Sequence, residues 1–248
     1  VDNVSPTIAD NNIVNQRSFG IEIRTRTEPL QPILQRNTIR GCGGAIGIDA
    51  NVEPQLSGNV AEDNMLNGIA VKGSMTVSRV WQAGDLPFLL DSRVLIGRGG
   101  TLNIAAGTVV KALADAALSI DFGAIQIPAP GTGDDIVTIT SIRDDTCGAA
   151  AGTCDTNNDE TQTRPLPGDW EGIVISDLAR DASISAAHIA YAGAPLNSLA
   201  QSTRLFFGAW ACGRCQNGPH ANASQNFPIW PRGLSPAWAQ AWPARLPW

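Results

Sequence analysis

Lysine is nearly missing from this chain. Lys72 and Lys111 are the only two among 248 residues. The arginines form no basic stripe, so nucleic acid is not expected as a partner. No G-x-S-x-G motif occurs, which removes the nucleophile elbow of an α/β-hydrolase. No apolar run reaches the about 18 residues of a membrane-spanning helix, so no membrane span is expected. Val1-Asp-Asn-Val lacks the basic head and apolar run of a secretory leader. The sequence is therefore expected to follow a removed leader or to lie inside a longer gene. Charged residues make up 16% and aromatics 6%, against 25 glycines and 16 prolines. That balance favours an elongated fold. The length admits one large domain or two small ones, and 43% apolar content is enough for a core.

What is present is acid, and it is concentrated. The net charge is −6. From Asp134 to Glu171 nine acids face Arg143 and Arg164, a local balance of −7, which leaves +1 for the rest. Charge gathered in this way points to a cation site rather than to a generally acidic surface. The stretch Arg143–Glu171 (RDDTCGAAAGTCDTNNDETQTRPLPGDWE) carries most of it. Apolar runs flank it at Ile136–Ser141 and Gly172–Ser176. It reads as a metal-binding loop thrown out between two strands.

Within that loop, Asp155-Thr-Asn-Asn-Asp-Glu-Thr161 places oxygen-bearing residues at alternate positions: Asp155, Asn157, Asp159 and the carbonyl of Thr161. This is the opening of the D-x-[DN]-x-[DN] calcium loop. Calcium takes six to eight hard oxygen ligands, and alternate residues of a tight loop can aim them inward. The sequence departs from the EF-hand form in two places. Glu160 stands where the turn glycine belongs, and Leu166 stands where the bidentate Glu belongs. Further ligands must come from nearby, with Asp144, Asp145 and Asp169 as candidates. Calcium is the expected ion. Magnesium keeps more of its water, and zinc is disfavoured because no His lies near the cysteines in sequence.

Five cysteines are present: Cys42, Cys147, Cys154, Cys212 and Cys215. Cys147 and Cys154 bracket the segment GAAAGT. A disulfide there would rigidify the loop and imply an oxidising compartment; a reduced pair is the alternative. Cys212-Gly-Arg-Cys215 has the C-x-x-C spacing but no βαβ context, so it reads as an incidental pair rather than a redox motif.

The first third repeats itself. Gly20-Ile-Glu-Ile23, Ala45-Ile-Gly-Ile48 and Gly68-Ile-Ala-Val71 are similar units, with Ile21, Ile46 and Ile69 at spacings of 25 and 23 residues. Asn-containing segments precede each: Asn11-Asn12-Ile13, Asn37-Thr38-Ile39 and Asn59-Val60. They read as turns. Such a period with alternating β-branched residues marks a solenoid, whose coils must stack to bury enough apolar surface. The asparagines suit coil corners because Asn tolerates left-handed backbone angles. They could also stack as a hydrogen-bonded ladder, or serve as ordinary turn residues. Strand signals continue through 77–81, 94–96, 101–104, 108–111, 118–120, 125–127, 136–139, 172–175 and 187–191. Helix signals are few; Val110–Ala117 has Ala-rich helical propensity but is short.

The runs GTLNIAAGTVVK (Gly100–Lys111) and LSIDFGAIQIPAPGTGDDIVTITSIRDD (Leu118–Asp145), then PGDWEGIVIS and ASISAAHIAYAG, resemble right-handed parallel β-helix modules of secreted bacterial surface proteins. The resemblance covers about residues 10–195. It implies an all-β solenoid, residues 1–200, with the acidic insertion at 143–171, in a secreted or cell-surface protein. It says little of activity, because the architecture serves adhesins as well as lyases and glycosidases. Polygalacturonase-like β-helices use clustered Asp with a His and a basic R-x-K; here Asp144-Asp145 is a paired carboxylate without the rest. Pectate-lyase-like sites pair calcium with an Arg or Lys base; Arg143 and Arg164 read instead as salt-bridge partners. His188 in a strand pattern reads as structural, and His220 is weaker still.

After Ala200 the alternation stops. Residues 201–248 hold five of the seven Trp and six prolines, which interrupt regular elements. This tail reads as an unnatural ending, or as an aromatic cap over the last coil. The function expected is a calcium-stabilised binding or scaffold module of an extracellular protein, with a carbohydrate or a small molecule as the ligand. The alternative is a calcium-dependent hydrolase or lyase acting on a polysaccharide or a small ester or lactone.

Overall fold

The computed structural model describes residues 2–25, 29–132, 135–146 and 154–193, together with the short strand at 205–206. The expected tail, 201–248, otherwise lies outside the described residues, as do Cys147, Cys212, Cys215 and His220. Among the described residues no helix forms, so none is long and apolar enough to cross a membrane.

The chain is a parallel β-helix. Its first coil runs through β1 (Thr7–Ala9), β2 (Asn12–Val14) and β3 (Phe19–Ile23). The second repeats this as β4 (Ile33–Gln35), β5 (Thr38–Arg40) and β6 (Gly44–Asp49), and the third as β7 (Gln55–Ser57), β8 (Val60–Glu62) and β9 (Ile69–Met75). Each strand lies parallel to its counterpart one coil later, giving the sheets β1-β4-β7 and β2-β5-β8 and the start of a third, β3-β6-β9. The Ile21–Ile46–Ile69 spacing is thus a true register: Ile21 faces Ile46, and Ile46 faces Ile69. The same row continues through Phe88, Val110 and Ile139 to Ile189. Its members from Ile21 to Ile139 are buried, and each such side chain contributes about 1.5–3 kcal/mol relative to exposure.

The asparagine segments are where the structure departs from the expected turns. Asn12–Val14, Thr38–Arg40 and Val60–Glu62 are strands, and the corners fall two residues before and one residue after them. Each coil carries two left-handed corners five residues apart: Asp10 and Asn15, then Arg36 and Gly41, then Gly58 and Asp63. An Asn follows the first corner of every coil. Asn11 donates Nδ2 to Asn37 Oδ1 at 2.9 Å, and Asn37 donates Nδ2 to Asn59 Oδ1 at 3.0 Å. Backbone N–H groups of Asn11 and Asn37 reach the same oxygens, and Asn59 N–H passes to Asp85 Oδ2 at 3.0 Å. The ladder is therefore formed, and it satisfies amide groups that the corner buries. Cys42 occupies the matching rung after the second corner: its N–H reaches Asn64 Oδ1 at 2.9 Å.

Beyond the third coil the stack continues through β10 (Ser78–Trp81), β11 (Phe88–Ile96), β12 (Thr101–Ile104), β13 (Val109–Ala112), β14 (Ala117–Ile120), β15 (Ala124–Ile127), β16 (Val137–Ser141), β17 (Gly172–Ile175), β18 (Asp181–Ile184) and β19 (Ala187–Ile189). The sheet β10-β12-β15-β18 forms one side. The long strand β11 pairs with β9 before it, and after it with two strands, β13 through Phe88–Leu90 and β14 through Arg93–Ile96. The helical propensity of Val110–Ala117 is overridden: β13 and β14 take its two ends into the sheet, where Val110, Ala112 and Ala117 are buried. The next coil repeats the split as β16 and β17. A last strand, β20 (Leu205–Phe206), pairs antiparallel with β17.

The link between β13 and β14 is Leu113–Ala116. One coil later, between β16 and β17, it becomes the acidic excursion 142–171. That is the position expected for the loop, and the topology explains it. A corner between two strands can lengthen without disturbing the rungs on either side.

Candidate metal centre

The excursion does not hang free. Val110 and Ala112 of β13 point into the core, so alternation turns Lys111 to the outer face of the sheet. Yet Lys111 is fully buried, as are its register partners Leu89 and Thr140. The excursion covers them. Lys111 Nζ donates to the backbone carbonyl of Cys154, and Asn67 N–H donates to the carbonyl of Thr156 at 2.8 Å. Thr140 donates to Asp144 Oδ2 at 2.6 Å. These bonds seat both limbs of the excursion against the coil wall.

On this floor three carboxylates converge. One oxygen from each of Asp145, Asp155 and Asp159 lies within 4.8 Å of the others. Calcium–oxygen distances of about 2.4 Å allow ligand oxygens to stand up to about 4.8 Å apart across one ion. The atoms on offer are telling. Asp145 Oδ1, Asp159 Oδ1 and Asn157 Oδ1 are buried and have no hydrogen-bond partner. Buried acceptors left in this state cost about 1–3 kcal/mol each, and a hard cation is the species that would satisfy several at once.

The local fold explains the aim of these groups. Asp155 caps the turn ahead of it: Oδ1 accepts Asp159 N–H at 3.2 Å and Oδ2 accepts Glu160 N–H at 2.8 Å. Asn158 and Glu160 take left-handed backbone angles, φ 54° and 58°. Glu160 thus adopts the conformation that the expected glycine would have taken. Asn157 Nδ2 donates to Asp159 Oδ2 at 2.7 Å, and Thr163 Oγ1 donates to the same oxygen. Asp159 is left with Oδ1 turned away from that pair.

The remaining sequence candidates stand elsewhere. Asp144 is buried, with Oδ2 held by Thr140 and Oδ1 by Thr146 N–H and Oγ1, at 3.1 and 2.6 Å. Asp169 accepts Ser141 Oγ at 2.7 Å, Leu166 N–H at 3.0 Å and Arg143 Nη1 at 3.1 Å. Asp169 therefore ties the return limb to β16, and Arg143 has the salt-bridge role read from the sequence. The side chain of Thr161 is exposed. His188 is exposed on β19, opposite Thr138.

The electrostatics follow from this arrangement. Burial pushes the Lys111 ammonium down to about 8, against the pull of Asp145, Asp144, Asp155 and Asp159. Burial also raises the Asp145 carboxyl; Lys111 opposes this, and the neighbouring acids Asp155, Asp159 and Asp144 add to it. For Asp144, burial again acts upward, but the hydrogen bonds from Thr140 and Thr146 outweigh it and hold the group below its usual value. Three acids crowded together with one buried ammonium have the charge balance of a site for a small cation.

Lys111 is the member that sequence reading missed. Its signal was available: it is one of only two lysines, and it sits at an outward strand position beside Val110. Nothing local indicated that the excursion would fold back over it.

Cys154 is buried, and Cys147, its expected partner, lies outside the described residues. Cys42 is a buried free thiol. Comparison with protein-family models, with curated proteins and with solved structures finds no match to this chain.

Proposed function

We propose that the chain is a calcium-binding β-helix module of a secreted or cell-surface protein, in which the ion clamps the acidic excursion to the coil wall. The observation that carries this reading is the convergence of Asp145, Asp155 and Asp159, with buried, unpartnered oxygens on Asp145, Asp159 and the neighbouring Asn157. Oxygen-only donors suit calcium. Asn157 Oδ1 would be a fourth side-chain ligand, and the carbonyl of Thr161 a backbone one. Asp144 and Asp169 would act as supports for the two limbs rather than as ligands.

A scaffold role is favoured over a hydrolase or lyase because the segment that carries the carboxylates is bonded to the coil wall, by Lys111 at Cys154 and by Asn67 at Thr156. A carbohydrate or small-molecule ligand would then be held by the module's surface, positioned by the metal-stiffened excursion. A Cys147–Cys154 bridge across GAAAGT belongs to this reading, with Cys154 buried where the excursion returns to the coil wall. That bridge would suit an oxidising, extracellular setting.

The test is calorimetric titration of the metal-stripped chain with calcium, followed by melting with and without chelator. Binding should raise the melting temperature in proportion to the logarithm of free calcium. Asp155→Ala and Asp159→Ala should each abolish that rise. A calcium-independent melting curve for the parent chain would sink the reading.

A further inference from the structure

The second coil turns its corner through Gly41-Cys42-Gly43, where the one side chain, that of Cys42, is buried. The coils on either side carry larger residues at the same place, Gln16 and Arg17 on the first, Asp63 and Met65 on the third. A trough of about 460 Å³ results, with the glycines as its floor and Asn157 and Asn158 of the excursion in its wall. Packing between coils keeps the floor bare. A Cβ on Gly41, whose φ is 63°, would lie 2.5 Å from Asn15 Oδ1, and one on Gly43 would lie 2.7 Å from the carbonyl of Arg17.

The trough carries opposite charges. Arg17 and Asp63 are exposed, and among the described residues neither makes an ion pair or a side-chain hydrogen bond. Arg17 belongs to the first coil, and Asp63 is a corner of the third. Two coil spacings, about 9–10 Å, separate their levels. Met65, 72% exposed, adds an adaptable apolar contact on the Asp63 side.

We propose that this trough binds a short zwitterionic ligand, a free peptide of about three residues, and holds it more tightly when calcium occupies the excursion.

The chemistry of the walls selects this class. The Arg17 guanidinium offers paired N–H donors that match a carboxylate, and the Asp63 carboxylate accepts an ammonium. An extended chain spans about 3.3–3.6 Å per residue, so about three residues bring their two end charges to the two walls. The side-chain amides of Gln16, Asn157 and Asn158 offer donors and acceptors to the peptide groups between. Among the described residues no aromatic ring lines the trough, which leaves the apolar face of a sugar nothing to stack on.

The dependence on calcium rests on the proposed metal site and enters through Asn157. Its Oδ1 is one of the buried oxygens without a partner, and the residue also lines the trough. An ion that takes this oxygen fixes that part of the wall. Calcium and peptide then raise each other's affinity by the same factor.

The experiment titrates triglycine into the full chain, in saturating calcium and then in chelator, and follows the amide signals of Gly41 and Gly43 by NMR. Calorimetry measures calcium uptake separately. The shifts should saturate and give a triglycine affinity at least about fivefold tighter with calcium. Triglycine amide, which lacks the carboxylate, and acetyl-triglycine, which lacks the ammonium, should each bind about tenfold more weakly or worse. Arg17→Ala should erase the penalty for the first and Asp63→Ala that for the second, with melting transitions unchanged. Absent shifts in calcium, equal binding of the capped peptides or tighter binding of maltotriose overturns the proposal and leaves the calcium reading standing. So does triglycine binding that is indifferent to bound calcium. A chain that takes up no calcium overturns both.

Discussion

Glu160 donates its backbone N–H to Asp155 Oδ2 at 2.8 Å while holding a φ of 58°. A side chain with a Cβ pays for that backbone with about 1–2 kcal/mol of strain, and the carboxylate cap compensates. Glu160→Gly should remove the strain and raise stability by about 1 kcal/mol. Melting of the two proteins in saturating calcium, then in chelator, measures it. The gain should appear in both conditions, since the turn forms around Asp155 whether or not metal is present.

Asn37→Ala should be among the most damaging single changes in the first three coils. Asn37 is fully buried and takes part in bonds to Asn11, Asn59 and the carbonyl of Ile8. Removing it strands partners on both neighbouring coils, at a cost of about 2–4 kcal/mol. Urea unfolding should show the loss. Asn12→Ala, an exposed neighbour outside the ladder, should stay within about 0.5 kcal/mol of the parent.

Lys111 gives the metal-free protein a pH signature. Its folded pKa, about 8, lies below the ordinary lysine value. The unfolded chain therefore holds this proton more tightly, and stability rises with pH between about 8 and 10.5. Below pH 8 both states are protonated and the burial cost is constant. Lys111→Met should flatten this rise, which amounts to about 1–3 kcal/mol across the window. Denaturant melts of both proteins at pH 7.5, 9 and 10.5, in chelator, give the comparison; parallel curves would show that Lys111 does not titrate there.

Asp169→Asn tests the division of labour among the acids. Asp169 secures Ser141, Arg143 and Leu166, so its charge should matter to the return limb more than to cation affinity. Calcium affinity should change less than threefold, while the chain loses about 1–2 kcal/mol of stability. Asp159→Asn should reverse the pattern, with a large loss of affinity in the titration and little loss of metal-free stability.

The solenoid was legible because its evidence is repetition. Ile21, Ile46 and Ile69 fall in one row, and no single residue has to be interpreted for the period to appear. The strands beside the asparagines were not legible in the same way. Asn is a turn residue by habit, and only the stacking of coils shows that Asn12, Thr38 and Val60 open strands just past the corner. The excursion was legible as acid and as an insertion between strands. Its internal assignment was less so. Asp144, Asp145 and Asp169 are equivalent on spacing alone, and only the folded chain assigns two of them to Thr140, Thr146, Ser141 and Arg143 and one to the cluster. Lys111 lies outside the excursion in sequence, so its place beneath the cluster required tertiary structure.

The split of β11 onto β13 and β14 has an evolutionary corollary. Each successive coil beyond it has a seam at the same angular position, closed in one coil by Leu113–Ala116 and opened in the next by 142–171. Because the strands on either side are anchored by their own neighbours, the seam is a port where new sequence of almost any length can be spliced. Diversification of such a chain would proceed there, while the rungs that bear it stay untouched.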